Sequence, residues 1–177
     1  MMSWQTVYSF WFETLTAKQW FSVSQEVDDA IKQQFETTLL AAKQGELHHW
    51  RETAKGALCE IIVLDQFSRN IYRDLPDAFS QDPQALVLAQ WAIARGFNKQ
   101  LSEEEVGFMY LPFMHSESKQ IHEVAEQLYR GHPNYDFEVA HKNIIDRFGR
   151  YPHRNEILGR VSSEQELTFL THPNSSF

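Results

Sequence analysis

Apolar residues recur along this chain at three- and four-residue spacing, and no window sustains the alternation of a half-buried strand. A first helix is predicted over Trp4–Leu15, crowded with Val7, Tyr8, Phe10, Trp11 and Phe12. Ser24 is placed to cap a long second helix carrying Val27, Ile31, Phe35, Leu39 and Ala42, which Gly45 ends. Thr53 to about Asn70 reads as a third helix, roughly 27 Å long at ~1.5 Å per residue. Its apolar residues lie on two sides, Leu58, Ile61 and Ile62 on one and Val63, Leu64 and Phe67 on the other, so it should run through the core. Asp82-Pro83 opens a helix to about Arg95 that Gly96 closes, and Ser102 with Glu105 forms a capping box for a shorter one that Pro112 breaks. Ser116 is a candidate cap for the next, burying Ile121, Val124, Ala125 and Leu128 and stopping at Gly131. After the turn His132-Pro133-Asn134 comes a helix ending at Gly149, and Ser162 or Ser163 starts a last one carrying Leu167, Phe169 and Leu170.

Short connections between these segments predict antiparallel neighbours. The expectation is an all-α fold, a single domain over residues 1–177 of about seven to eight antiparallel helices, with 171–177 as a frayed tail. No fixed-period sequence repeat is present.

The third helix sets polar residues among apolar ones. Asp65 and Arg69, four apart, fall on an inward stripe, and Gln66 and Asn70 do the same beside Cys59 and Val63. Asp65 and Arg69 suit either a buried ion pair or a site, while Gln66 and Asn70 are expected to bond main-chain groups.

Composition narrows the class. The 177 residues are 42% hydrophobic and 14% aromatic, ample for a core. The lone Cys59 excludes an intramolecular disulfide and sits in an apolar run, which suits a reducing, cytoplasmic setting. The N-terminus has no basic leader, and no apolar run approaches membrane-spanning length, so no membrane association is expected. A net charge of −8 speaks against nucleic acid as a partner. Between His141 and Arg160, however, five cations (Lys142, Arg147, Arg150, Arg154 and Arg160) face only Asp146 and Glu156, a local +3 that fits a small anion better than a polymer.

Three stretches carry the candidate chemistry: LDQFSRNIYR at Leu64–Arg73, LPFMHSE at Leu111–Glu117 and HKNIIDRFGRYPHRN at His141–Asn155. His141 shares a helical face with Ile144, Ile145 and Phe148, so it is either a bonded core histidine or an inward site residue. Asp146 and Arg150 are spaced for a surface pair. Arg147, Arg150, His153 and Arg154 crowd a helix end, where they serve the helix dipole or bind an anion. His48, His49, His122 and His132 read as solvent or turn residues. The candidate acid–base groups are His115 and His141 with Asp65 as orienter, and the candidate ligand contacts are Arg69, Asn70, Glu117, Arg147, Arg150, His153 and Arg154. His115, Glu117, His141 and His153 include types that bind zinc or iron, but no pair has established metal-motif spacing, so no metal is assigned and no cofactor is named. Ser116 lacks the strand-to-helix elbow of a hydrolase nucleophile.

In that order the three stretches resemble the bacterial domain-of-unknown-function 924 family, from the WF of the first helix to LGR and SSEQELTFL near the end. Ser68 departs from it, standing where the family carries proline. The resemblance implies a tetratricopeptide-like helical fold and no particular activity. Two readings follow from the residues, an anion site with or without enzymatic chemistry and a buried polar network that specifies packing, and the resemblance in fold implies a third, a helical module binding a protein or peptide partner.

Overall fold

Thirteen consecutive residues of the third predicted helix, from Gly56 to Ser68, are buried, and the helices of the first half of the chain gather round them. The computed structural model describes residues 2–176; among these there is no strand, and no helix is long and apolar enough to cross a membrane. The helices group into two compact units, residues 2–73 with 77–112, and residues 113–176 with 74–76.

The first unit opens with α1 (Trp4–Tyr8), a wider turn at Ser9–Thr14 and α2 (Ala17–Trp20). The single helix expected over Trp4–Leu15 therefore runs unbroken from Trp4 to Thr14, with its second half widened. The wide turn packs Trp11, 1% exposed, against Phe67 and Phe108 at 5.7 and 5.5 Å between rings. Helix α3 (Gln25–Lys43) follows the expected pattern: Ser24 accepts the Val27 N–H, Ile31, Phe35 and Leu39 are fully buried, and Gly45 leaves the helix at φ 74°. That left-handed angle is one glycine adopts without steric cost.

Helix α4 (Ala54–Ile62) starts at Thr53, whose hydroxyl accepts the Gly56 N–H, and continues through a second wide turn at Val63–Phe67 into α5 (Ser68–Ile71). α1, α3 and α6 (Asp82–Ala94) pack around this rod. Gly56 is where a helix meets a backbone: a Cβ there would lie 2.0 Å from the Trp50 carbonyl oxygen. Ser68 has φ −58°, an angle proline also adopts, so its departure from the family pattern leaves the local backbone helical.

Helix α7 (Glu103–Met114) begins with the expected capping box, Ser102 N–H to Glu105 at 2.7 Å and Glu105 N–H to Ser102 at 3.3 Å. It does not break at Pro112. The helix contains that proline and ends two residues beyond it, so the missing N–H falls in the last turn.

The second unit holds α8 (Lys119–Tyr129), α9 (Tyr135–Phe148) and α10 (Glu164–Leu170). α8 and α9 form a tightly packed hairpin across the short turn at 130–134. Ser116 does not cap α8: the helix starts at Lys119, and Ser116 instead accepts the Ser118 N–H at 3.2 Å in the turn before it. Ile145 and Tyr151 are buried at the centre with Ile144, and Phe148 and Phe169 pack over them. Val124 and Leu167, expected inside, are 44% and 55% exposed. Ser163 and Glu166 form the capping box of α10, and Ser175 donates to the Leu170 carbonyl beyond its end.

Candidate functional site

Polar residues of the first unit close on one another. Arg69 lies 3.2 Å from Asp65, donates to the Asp65 carbonyl at 2.7 Å and forks onto both oxygens of Asp82 at 2.8 and 3.0 Å. The expected Asp65–Arg69 pair is thus present, with Asp82 as a third member that sequence spacing did not suggest. Gln66 and Asn70 bond carboxylates rather than main chain: Gln66 donates to Asp65 and Asn70 to Asp28, which also takes a fork from Arg73. Widening the helix at Val63–Phe67 shifts its register by part of a turn, which lets one buried rod present polar groups to α3 and to α6.

The other two candidate stretches meet in the second unit around Tyr151, which is 1% exposed. Its hydroxyl donates to the Met114 carbonyl at 2.5 Å, and its N–H donates to Glu117 at 2.7 Å. The rings of His122, His141 and His153 lie 6.3, 5.8 and 5.5 Å from the Tyr151 ring. The Arg154 guanidinium lies 4.6 Å from the same ring and donates to the His115 carbonyl at 3.1 Å. Arg154 and His141 are buried at 6% exposure each, whereas His115, Glu117 and His153 are half-buried.

Electrostatics differ from group to group. Burial pushes His141 down to about 3; the nearby His115, His122 and His153 add to this, and its bond to the Phe137 carbonyl (2.7 Å) only partly opposes it. His141 is therefore neutral at pH 7, with Nδ1–H as donor because a carbonyl only accepts. Burial alone would raise the Glu117 carboxyl, but the forked Arg160 guanidinium (2.7 and 2.9 Å) and the Tyr151 N–H outweigh it and hold it low. Arg150 forks onto Glu166 at 2.7 and 2.8 Å and holds that carboxyl down at about 2.

Arg150 does not pair with Asp146 as its spacing suggested. Gly149, at φ 70°, ends α9 before Arg150, so the two no longer share a helical face, and Asp146 binds Lys142 at 2.7 Å instead. Arg147 is exposed and lies over the rings of Phe148 and Phe169 at 4.6 and 5.9 Å. Among the described residues, no group of three or more His, Cys, Asp or Glu is arranged to hold a metal ion.

Sequence reasoning missed His122 and Glu138. His122 is not a solvent residue: it is fully buried, with Nδ1 2.7 Å from Glu138 and Nε2 2.8 Å from the Ser116 carbonyl. The signal was available, since His122, Ala125 and Tyr129 share the buried stripe of α8, as Glu138, His141 and Ile145 share that of α9.

A family model described as "Bacterial protein of unknown function (DUF924)" matches residues 7–174. The chain belongs to this family. It is similar to the solved structure of a protein of unknown function from Agrobacterium tumefaciens, at 32% identity and a TM-score of 0.91, over 94% of this chain and 96% of that one. No curated protein matches the chain. The domain-of-unknown-function 924 family thus fixes the all-helical architecture without naming a reaction.

Proposed function

We propose that the second unit binds a small molecule through a carboxylate or phosphate group, at the face formed by His115, His153 and Arg154. The observation that carries this is the gathering of one guanidinium and three imidazoles round the buried ring of Tyr151. A guanidinium supplies forked donors for an anionic group, and the half-buried His115 and His153 supply further ones. Glu117 supports this face from behind, holding Arg160 and the Tyr151 N–H.

Within this reading the roles of the two candidate acid–base groups separate. Effective proton transfer needs a pKa near the working pH. His141, pushed to about 3, is a neutral hydrogen-bonding partner there, which leaves His115 as the acid–base candidate if the bound molecule is turned over. Asp65 and Asp82 both pair with Arg69 within the first unit.

A second reading, that these residues form a polar network specifying packing, is favoured by the forks of Arg150 on Glu166 and Arg160 on Glu117. A thermal-shift series separates the two. Phosphate, nucleotides and di- and tricarboxylates are titrated against the wild type, His153→Ala and Arg154→Lys. A ligand at ~100-fold its dissociation constant stabilises by about 2.7 kcal/mol, a rise of roughly 5–11 °C for a chain of this size. The anion reading expects at least one class to give such a rise and both variants to lose most of it. If no class shifts the wild type, or the shift survives in both variants, the network reading stands instead.

A further inference from the structure

His122 on α8 and Glu138 on α9 are both at 0% exposure, and their contacts reach the turn that carries His115 and Glu117. The Ser116 carbonyl can only accept, so His122 Nε2, 2.8 Å away, carries a hydrogen. Tyr151 gives its own hydrogen to the Met114 carbonyl, so its oxygen, 3.2 Å from the same Nε2, receives that hydrogen as well. His122 Nδ1 lies 2.7 Å from Glu138 Oε1, a separation at which two lone pairs would repel. One proton therefore lies between nitrogen and oxygen, whichever of the two holds it. Glu138 Oε2 is buried with no hydrogen-bond partner, so a full carboxylate charge would be poorly solvated at that atom.

We propose that His122 and Glu138 are a positioning pair for the anion-binding face, and that loss of their shared proton as pH rises releases the Ser116 turn and weakens anion binding. This rests on the anion reading above. Without that proton, lone pair meets lone pair, so the remaining hydrogen moves to Nδ1 or the imidazole turns. Either change removes Nε2–H from Ser116 and Tyr151 together, the two points that hold His115 and Glu117 against Tyr151 and Arg154. The groups around the pair bear on where this happens. Burial raises the Glu138 carboxyl; His122 on α8 and Lys142 on α9 favour its charge, and Glu126 on α8 opposes it. His141 on α9, held neutral, and the Tyr151 hydroxyl complete the surroundings, with His115 and His153 beyond His141.

The test uses the full chain and two readouts between pH 6 and pH 10: amide exchange at the Tyr151 N–H, corrected for its intrinsic pH dependence, and calorimetric affinity for inorganic phosphate. Glu138→Gln keeps the clamp without the titrating proton, because its side-chain amide donates to Nδ1 and leaves Nε2–H in place. The proposal expects wild-type exchange to quicken at least tenfold as His122 nitrogen resonances report loss of the shared proton. Phosphate affinity should fall at least tenfold over the same interval, with Glu138→Gln flat in both. Wild-type exchange and affinity that stay flat across that titration overturn it, as does a Glu138→Gln profile that follows the wild type. Quickened exchange in a wild type that binds no phosphate at any pH supports the clamp and overturns the anion reading alone.

Discussion

Tyr151→Phe isolates one hydroxyl at the centre of the second unit. The ring stays, so the packing against Ile145 and the approach of Arg154 at 4.6 Å are kept. What disappears is the donor to the Met114 carbonyl and one of two acceptors for His122 Nε2–H. The second loss is small, because Nε2–H keeps the Ser116 carbonyl at 2.8 Å. The first is not. Met114 is the last residue of α7, and the Ser118 N–H, which would reach its carbonyl in a longer helix, donates to the Ser116 hydroxyl. Leaving a buried carbonyl unsatisfied costs ~1–3 kcal/mol. At ~2–4 °C per kcal/mol for a chain of this length, the melting midpoint should fall by roughly 2–12 °C. Urea unfolding followed by circular dichroism measures the free energy directly, and its slope should not change, because the surface exposed on unfolding is the same. A loss below ~0.5 kcal/mol, within the range of ordinary surface substitutions, would refute the argument that this hydroxyl satisfies Met114.

Three further outcomes are expected. Glu166, lowered to about 2 by Arg150, contributes stability that is present above the ordinary carboxylate range near 4.5 and is lost as pH falls through about 2; urea midpoints measured from pH 6 to pH 2 should therefore fall less steeply in Glu166→Gln than in the wild type. Gly56→Ala places a methyl 2.0 Å from the Trp50 carbonyl oxygen, a backbone atom with no rotamer to yield, so the cost should reach or exceed the upper end of the ~1–3 kcal/mol seen for overpacking; wild-type stability on urea unfolding would count against the close approach. Cys59 is fully buried, and burial pushes its thiol far up, so Ellman's reagent should leave it unmodified in the native protein and react with it in denaturant.

Helix positions were legible because their signals are local. Ser24, Thr53, Ser102 and Ser163 each act on a residue three positions away, and Gly45, Gly96, Gly131 and Gly149 all have positive φ where the helical pattern stops. Errors arose where two local rules competed. Pro112 signals a break, yet a proline in a last turn removes an N–H from a helix that is ending anyway. Ser116 and Ser118 both precede α8, and composition alone does not say which turn becomes helical. The wide turns at Ser9–Thr14 and Val63–Phe67 left no signal, since one extra residue in a helix made largely of apolar residues changes no residue type.

Partners across the chain were not legible, and this alters what the cationic window means. Counting His141–Arg160 alone gives +3, but Arg150 is met by Glu166, 16 residues on, and Arg160 by Glu117, 43 residues back. A window sums charges over sequence, whereas an anion responds to charges within about one Debye length, ~8–10 Å. Much of the excess is therefore cancelled before any ligand arrives. The anion reading then stands on the placement of Arg154 and the imidazoles round Tyr151, not on net charge. The consequence separates two arginines that looked equivalent in the sequence. Arg150→Ala should reshape the acid limb of stability by releasing Glu166 and leave anion affinity within about twofold, a change below ~0.5 kcal/mol. Arg154→Lys keeps the charge and loses the planar fork, so affinity should fall much further than a surface charge change would allow. Equal losses of affinity in the two variants would mean that the local field, and not the Tyr151 cluster, holds the anion.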